Sequence, residues 1–534
     1  MFAQPGAYHG RVTTTVSRRH ILTLAAVGVV AAGCAPVVPS TPTVAPASPD
    51  STKSPATTAA TPADWAALAA GLAGSLARPG DASYNRVRIT ENPRWDAARP
   101  VGVLTAAKAS DVASGLAFAR KHGIPLALRA GGHSYPGYSA GGAPGTGVAP
   151  SLVIDSRGFK GVQFLADNQV RVGAGASLAR VYAAVGAKGR ALAGGSCATV
   201  GITGLTLGGG VGVLVRRYGL TCDALREVEI VTADGHLRTV NENTDSDLFW
   251  ACRGGGGGHL GVVTSLTFAT HPAPTVTMFA LSWTFARAAD VIAAWQNWAP
   301  AADRRLWSTL KLLNGPKYTT GPGVFVSGTW LGAPAELAAQ LAPFLAAAGT
   351  PRSNLSGVHS YADAMAGYAG CATIPTAQCT TGPGGKLVRE SFGASTHIAY
   401  QKLKPSGIEH IITHVAAAKS LPGVREAGIS MDALGGAVAD IAPDATAFPH
   451  RKALMSVQYT ATFPNGTDPE PLDSFVRGFR VAMTPQWGDG AYVNYADPTL
   501  ANAAESYFAG NAGRLVTVRQ KYDPTGVFTQ PQSY

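Results

Sequence analysis

The sequence predicts an α+β protein, and two observations support that fold class. Between residues 63 and 272, short runs of branched residues alternate with helix-like stretches, which indicates mixed α/β packing. Between residues 273 and 470 the segments are longer, and strands alternate with Ala-rich helices. This pattern is typical of an antiparallel sheet covered by helices on one face. Residues 471–534 form a last segment, whose amphipathic helix places Leu515 and Val518 inward.

In the first part, short strands are predicted at residues 101–104, 125–129, 152–154, 169–172 and 228–232. Ser110 is predicted to cap a helix that runs to Lys121. A second helix is predicted over residues 177–188, and its inward face consists of Leu178, Val181, Tyr182 and Val185. The first part therefore reads as alternating strands and helices.

In the second part, strands are predicted at residues 277–283 and 456–463, and a long helix at residues 335–348. Cys371 and Cys379 are eight residues apart in a stretch of Gly, Pro and Thr. They could form a disulfide in an oxidising compartment, but the spacing leaves this open.

Composition excludes several classes of protein. Charged residues make up 14% of the 534 residues, against roughly 25% in a typical soluble domain, so disorder through charge is excluded for most of the chain. The net charge is +11, but no run of Lys and Arg exceeds two residues, so no nucleic-acid partner is predicted. His410 and His414 lack the Glu that zinc peptidases place after the first His. We therefore predict a solvated helix face there and no metal.

The first 33 residues are predicted to be an export signal. Arg18 and Arg19 precede an uncharged stretch, residues 21–33, that resembles a bacterial twin-arginine signal. Cys34 follows Ala-Ala-Gly like the acylated residue of a lipoprotein, although an ordinary signal peptide with a stray cysteine is the alternative. Residues 34–62 consist almost entirely of Ala, Pro, Ser, Thr and Val and are predicted to be a disordered linker. The protein is thus expected in the bacterial cell envelope or outside the cell, touching a membrane only through Cys34.

Glycine-rich segments are the strongest chemical signal. Arg129–His133 reads RAGGH after a predicted strand, and residues 194–212 and 253–258 are also rich in glycine. Glycines let backbone N–H groups approach an anion closely, and the interleaved Val, Ile and Leu argue against flexible linkers. Neither a Walker loop nor a GxGxxG fingerprint is present. Three such segments predict a long ligand with a pyrophosphate, and two nucleophiles, His133 and Cys197, lie among them.

Four motifs carry a resemblance to a known family. RAGGHSYPGYS, GGSCATVGITGLTLGGGVG, DLFWACRGGGGGHLGVV and the tail YFAGNAGRLVTVRQKYDPTGVF resemble the berberine-bridge-enzyme-like oxidases of the vanillyl-alcohol-oxidase fold group. The resemblance implies a PCMH-type FAD-binding domain of two α/β subdomains, a substrate domain and a C-terminal segment that returns to the FAD domain. It also implies a bicovalent FAD, attached through its 8α-methyl to His133 and through C6 to Cys197. His259 stands where the family usually has Asn.

The glycine argument and the resemblance together give the candidate cofactor-binding residues. They are Arg129, Ala130, Gly131, Gly132, His133, Ser134, Cys197, Val200, Gly201, Thr203, Gly204, Gly208, Gly210, Gly261, Val263 and Asn494.

The resemblance also implies the catalytic roles. An alcohol would pass a hydride to the flavin while Tyr495, helped by Asp432, takes the hydroxyl proton. Tyr135, Gln458 and Tyr492 would line the substrate cleft. The alternatives from the residues alone are core aromatics for both tyrosines of the YVNY segment, a turn cap for Asp432 and a solvent-facing Gln458.

The sequence therefore predicts an exported FAD-dependent oxidase of a carbohydrate or another alcohol, with a small-molecule or oligosaccharide substrate and O2 reduced to H2O2. Small residues at Ala198 and Gly201 favour access of oxygen to the ring. A tailoring oxidase of an amine or phenol, and a flavin dehydrogenase with another acceptor, are the alternatives. A hydrolase is disfavoured because Pro136 occupies the last glycine position of a GxSxG motif.

Overall fold

The structure is a computed structural model that describes residues 58–534. The predicted export signal, the predicted acylation site Cys34 and most of the predicted linker lie outside the described residues. Within residues 58–534, no helix has the length and apolar character needed to cross a membrane. Within the same residues, no three His, Cys, Asp or Glu side chains lie close enough together to hold a metal ion.

The helices are α1 Pro62–Ala70, α2 Tyr84–Val87, α3 Ala109–His122, α4 Leu178–Gly186, α5 Ile202–Leu207, α6 Val215–Tyr218, α7 Ser246–Ala251, α8 Ala288–Trp298, α9 Leu337–Ala348, α10 Tyr361–Tyr368, α11 Pro405–Ala417, α12 Glu470–Trp487, α13 Ala503–Phe508 and α14 Ala512–Tyr522. The strands are β1 Ser75–Ala77, β2 Gly102–Thr105, β3 Leu126–Arg129, β4 Leu152–Asp155, β5 Val162–Phe164, β6 Gln169–Gly173, β7 Arg190–Ala191, β8 Leu225–Val231, β9 Leu237–Val240, β10 Val262–Ala269, β11 His271–Pro272, β12 Val276–Trp283, β13 Leu306–Asn314, β14 Gly323–Trp330, β15 Ser353–His359, β16 Ser391–Ala399, β17 Glu426–Ala433 and β18 Met455–Phe463.

A four-stranded sheet comes first, in the order β1-β2-β4-β3, with β2, β4 and β3 parallel. Parallel strands need crossover connections, and α3 supplies the one between β2 and β3. The prediction that Ser110 caps α3 is wrong, because the helix begins at Ala109. The Asp111 carboxylate instead accepts the N–H groups of Ala107 and Lys108, the two residues that precede the helix.

A five-stranded antiparallel sheet follows, in the order β5-β6-β10-β8-β9. Helix α4 packs against its core, and the four residues predicted to face inward are buried there. The C-terminal segment joins both sheets. Leu515 and Val518 of α14 lie in the same core as α4, and Phe528 packs with Leu104 and Ile154 of the first sheet. The α+β fold class is confirmed, while the domain boundaries stay predictions.

The third sheet has seven antiparallel strands, in the order β15-β12-β14-β13-β17-β18-β16. Helices α8, α9, α11 and α12 pack on one face, whose core includes Leu310, Met431 and Tyr459. Because side chains alternate along a strand, the intervening residues point to the opposite face. That face carries polar side chains on β13, β17 and β18. On that face Thr309, Asp432 and Ser456 form one row across β13, β17 and β18, and a second row consists of Lys311, Ser430 and Gln458.

Candidate active site

The RAGGH segment begins where β3 ends, but its arginine points into the protein. The buried Arg129 guanidinium forms an ion pair with Asp155, at 2.9 Å between Nη2 and Oδ2. It also donates to the carbonyls of Val87 and Arg88, at 2.7 and 2.9 Å. All three of its donor nitrogens are therefore used within the protein. The predicted role of the Arg129 side chain in binding the cofactor is not supported, because it anchors the strand that carries the glycines.

The first two glycine-rich segments touch each other at Gly131 and Gly201. A Cβ on Gly201 would lie 2.3 Å from the Gly131 nitrogen, and a Cβ on Gly131 would lie 2.2 Å from the Gly201 nitrogen. Both positions must be glycine for the two backbones to approach this closely. Gly132 has a φ of +75°, in the left-handed region that favours glycine. The glycines thus join the His133 loop to the Cys197 loop.

We expect Gly201→Ala to separate these two loops. The added methyl meets backbone rather than a flexible side chain, so the free energy of unfolding should fall by about 1–3 kcal/mol and the bound FAD should decrease. Thermal unfolding and the flavin absorbance of the purified protein measure both effects. Gly513→Ala is the matched control, because its Cβ has open space on helix α14 and should cost nothing. Normal FAD content in Gly201→Ala would contradict the close approach.

His133 and Cys197 are brought together through Thr199. The Nε2 atom of His133 lies 2.8 Å from the Thr199 hydroxyl oxygen. Thr199 is two residues from Cys197, which corresponds to at most about 7 Å of backbone. Burial lowers the pKa of His133 from 6.5 to about 3, so the imidazole is neutral at physiological pH. The two predicted attachment residues therefore lie in one region of the structure.

Tyr135 and Tyr495 stack beside this region. Their rings are nearly parallel, with centroids 5.7 Å apart, and Gln458 donates its amide to the Tyr135 hydroxyl at 2.8 Å. Burial, followed by the charge of Cys197, raises the pKa of Tyr135 well above 10. Residues from the RAGGH region, the seven-stranded sheet and the C-terminal segment thus meet at one place. Gln458 faces this cluster, so the solvent-facing alternative is wrong.

Asp432 lies on the polar face of the sheet next to these tyrosines. Burial raises the pKa of its carboxyl, and a hydrogen bond from Thr309 and the charge of the Lys311 ammonium oppose that rise. Burial also raises the pKa of Tyr495 well above 10, and the Asp432 charge adds to it. Among the described residues the Asp432 Oδ1 atom and the Ser456 hydroxyl have no hydrogen-bond partner. Buried polar atoms without partners indicate a place where a ligand binds.

Tyr492 and Asn494 hold the second glycine-rich segment. Tyr492 is 1% exposed, and its hydroxyl accepts the N–H groups of Gly210 and Val211 at 2.9 and 3.0 Å. Asn494 donates to that hydroxyl and to the Leu205 carbonyl, both at 2.9 Å. The substrate contact of Tyr492 and the cofactor contact of Asn494 stay predictions.

The remaining candidate cofactor residues divide into two groups. In the first group, close packing within the protein explains the residue type, and contact of these residues with the cofactor stays a prediction. Thr203 donates to the Ala174 carbonyl, Val263 is 3% exposed in the core, and a Cβ on Gly208, Gly210 or Gly261 would strike Asn494, Thr221 or Val231.

The second group stays open to the space between the segments. Gly204 is exposed, and a Cβ there would meet nothing within 4 Å. Ala130 and Val200 are half-buried beside Gly131 and Gly201, and the Ser134 hydroxyl accepts the N–H of Tyr138. For these residues cofactor contact stays a prediction.

The residues fit a long cofactor with a pyrophosphate. Among residues 58–534, no acceptor is found for the backbone N–H groups of Gly131, Gly132 and His133, which leaves three consecutive donors for an anion. A small cleft is lined by Leu126, Leu128, Tyr138, Val148, Gly258 and Gln530. Edge strand β3, the third glycine-rich segment and the C-terminal segment thus meet at this cleft.

A disulfide joins Cys371 and Cys379, and it packs against Ala198. Ala198 therefore faces the disulfide, and Gly201 faces Gly131. Packing within the protein therefore explains why both residues are small, and the access of oxygen to the ring stays a prediction.

Sequence reasoning missed Lys311 and Glu91. Lys311 lies on the polar face of the sheet, and burial lowers its pKa to about 8. Glu91 accepts the Thr381 hydroxyl at 2.9 Å and donates its N–H to the Gly132 carbonyl. The alternating polar residues of β13 were a signal for Lys311, whereas nothing in the local sequence marks Glu91.

Comparisons with known proteins agree with this geometry. A family model for an FAD binding domain matches residues 100–241, and a model for berberine and berberine-like proteins matches residues 491–533. The FAD-linked oxidoreductase YgaK of Bacillus subtilis is 32% identical over 469 residues, which cover 86% of this chain and 97% of YgaK.

Two solved structures are similar over most of their length. BBE-like 1 of Physcomitrella patens has a TM-score of 0.79 and 27% identity, covering 88% of this chain and 98% of its own. A glucooligosaccharide oxidase from Acremonium strictum, described with a 6-S-cysteinyl, 8α-N1-histidyl FAD, has a TM-score of 0.77 and 26% identity, covering 88% and 98%.

The glycine-rich segments and these similarities define an FAD-linked oxidoreductase. Within that class, the chain belongs to the berberine-bridge-enzyme-like family.

Proposed function

We propose that this protein is an exported oxidase of carbohydrates or other alcohols, with FAD attached through both His133 and Cys197 and O2 as the electron acceptor. The observation that carries the proposal is the convergence of Tyr135, Tyr495 and the polar sheet face beside the His133 and Cys197 loops. The similar glucooligosaccharide oxidase, with its doubly attached flavin, supports both the attachment and the substrate class.

The bound flavin would supply a two-electron acceptor for the carbon that bears the hydroxyl group. Tyr495 would take the hydroxyl proton, although burial holds its pKa above 10. Asp432 can compensate for the high pKa of Tyr495 by accepting its proton. Burial raises the pKa of Asp432, which makes its carboxylate a better proton acceptor than an exposed one. A proton can then move from the substrate to Tyr495 while Tyr495 gives its own to Asp432, so that no free phenolate has to form.

The substrate class follows from the polar face of the seven-stranded sheet. Asp432 and Ser456 each place a buried polar atom without a partner in the described residues along the row that also contains Thr309. A substrate with several hydroxyl groups can donate to and accept from such a row, whereas a phenol or a simple amine would leave most of it unsatisfied. The row of polar side chains therefore favours a carbohydrate as the substrate.

Export and lipid attachment at Cys34 belong to the same proposal. The Cys371–Cys379 disulfide supports it, because disulfides persist in oxidising compartments. A flavin that is covalently attached before export would also stay with the protein outside the cell.

The proposal is tested by precipitating the purified protein with acid. Yellow colour and fluorescence should stay in the pellet of the wild type, of His133→Ala and of Cys197→Ala, and should be lost from the double variant. Release of all flavin from the wild type would contradict covalent attachment. Peroxide release is then screened against oligosaccharides, simple alcohols and phenols, with a dye acceptor in parallel. Dye reduction without peroxide would indicate a dehydrogenase.

Lys311 gives a further test of the role of Asp432. The Lys311 ammonium lowers the pKa of Asp432, so its removal in Lys311→Met should raise that pKa. Asp432 must be ionised to accept a proton, so the acid limb of the kcat/KM profile should move to higher pH. Lys311→Arg keeps the charge and should retain the wild-type profile. An unchanged acid limb in Lys311→Met would show that Asp432 does not control it.

A further inference from the structure

The attachment of His133 raises the question of which ring nitrogen reacts. A neutral imidazole carries one N–H, and only the other nitrogen has a lone pair available as a nucleophile. Burial lowers the pKa of His133 to about 3, so the neutral form is present. The reactive nitrogen is therefore fixed by the group that binds the remaining N–H.

Thr199 is next to one of the two ring nitrogens. Its hydroxyl oxygen lies 2.8 Å from His133 Nε2. A hydroxyl has a single proton to donate, and it can also accept. If Thr199 gives its proton to another acceptor, it must accept from His133, and Nε2 then carries the hydrogen.

Glu91 supplies that other acceptor. Its carboxyl is buried, which raises its pKa, but hydrogen bonds from Thr381 and Thr199 and the charges of Arg389 and Arg157 oppose the rise. Thr381 donates to both carboxyl oxygens at 2.9 Å. Because both oxygens accept from Thr381, the carboxyl group of Glu91 is placed as a carboxylate, which can only accept.

The backbone holds the three residues in place. The Glu91 N–H donates to the carbonyl of Gly132, the residue before His133, at 3.1 Å. On the other side, the Cys371–Cys379 disulfide packs against Ala198, the residue before Thr199. The contact between Gly131 and Gly201 then fixes the distance between the two loops.

We propose that Thr199 and Glu91 are positioning residues that direct FAD attachment to the Nδ1 atom of His133. Glu91 accepts the Thr199 proton, Thr199 accepts the Nε2 hydrogen, and Nδ1 keeps its lone pair. Attachment would join Nδ1 to the 8α carbon: one proton would leave the 8α-methyl group and the other would leave Nε2, and the two electrons would pass through the flavin to dioxygen, which would take up both protons to give H2O2. This inference rests on the proposed covalent attachment at His133.

The test measures covalent flavin in the acid pellet of the full-length protein, not enzyme activity. In the Cys197→Ala background His133 is the only attachment residue, so Thr199→Val should reduce covalent flavin at least tenfold. Thr199→Ser, which keeps the hydroxyl, should retain it. Glu91→Gln, of the same shape as Glu91 but without its charge, should also reduce it. NMR of the flavin peptide should show a shift from Nδ1 towards Nε2 in any residual product of Thr199→Val.

The His133→Ala background distinguishes positioning from folding. There the flavin is held by Cys197 alone, and Thr199→Val should leave the covalent fraction unchanged. Equal losses in both backgrounds, or full attachment through Nδ1 in Cys197→Ala/Thr199→Val, would overturn the inference. If Cys197→Ala alone already releases all its flavin, then attachment at His133 is wrong, and that result identifies a failure of the proposed function instead.

Discussion

Replacing Tyr495 with Phe should lower kcat/KM by about 10²–10⁴-fold without reducing the amount of bound flavin, since a positioned general base contributes about that much. The substitution removes one oxygen and keeps the ring that stacks on Tyr135 at 5.7 Å. Packing is therefore preserved while the proton acceptor is lost. Steady-state rates of peroxide release, divided by the flavin content of each preparation, measure the effect.

Tyr459→Phe is the control for this substitution. Tyr459 lies on the same seven-stranded sheet, but its side chain is on the face covered by helices, where its hydroxyl contacts His397 at 2.8 Å. Losing that hydrogen bond should cost about 1 kcal/mol of stability and leave the rate per flavin near that of the wild type.

The Asp432→Asn variant provides a second test of the role of Tyr495. In the proposed mechanism Tyr495 works together with Asp432, so Asp432→Asn should lower the rate by a similar factor. The double variant should then be little worse than either single variant, because groups that act as a unit are not additive. A rate in Tyr495→Phe within a few-fold of the wild type, with Asp432→Asn strongly impaired, would assign the base to Asp432 alone.

Local patterns in the sequence were sufficient for the elements and for part of the site. The 3.6-residue periodicity predicted the buried face of α4, and it did so because that face packs into one core. The RAGGH and GGSC motifs pointed to His133 and Cys197, and the structure brings their loops together through Thr199.

The errors share one physical cause, which is contact between residues far apart in the chain. Tyr492 bonds Gly210 across 282 residues, and Gln458 bonds Tyr135 across 323. Lys311 lies on the same face as Asp432 because of the register between β13 and β17. Such register cannot be read from one strand alone, because it depends on how two strands pair.

Glycine was the residue most easily misinterpreted. A glycine-rich segment can serve a ligand or serve the protein's own close packing, and the sequence looks the same in both cases. The structure separates the two, since a Cβ on Gly204 would meet open space whereas one on Gly208 would lie 2.1 Å from the Asn494 side-chain oxygen. The second kind is required by packing within the protein, whether or not its backbone also contacts a cofactor.

Arg129 is a residue of the RAGGH motif that stabilises the fold. The substitution Arg129→Met should therefore lower the free energy of unfolding by about 3–5 kcal/mol. The Arg129 and Asp155 side chains are fully buried, so the substitution removes one charge and leaves the carboxylate of the other with only Arg157. The carbonyls of Val87 and Arg88 also lose their donors. Urea denaturation monitored by circular dichroism measures the change.

The control is Arg304→Met. Arg304 pairs with Asp440 at the same kind of distance, 3.0 Å, but both side chains are about half exposed, so water and ions screen the pair and its loss should cost at most about 1 kcal/mol. In Arg129→Met we expect FAD to be lost as a consequence of instability, so FAD content should recover when the protein is produced at lower temperature. A variant with wild-type stability that nevertheless fails to take up FAD would instead mean that the guanidinium contacts the cofactor, as the motif alone suggested. These two outcomes distinguish an arginine that stabilises the end of strand β3 from an arginine that binds the cofactor. The buried ion pair between Arg129 and Asp155 supports the first role.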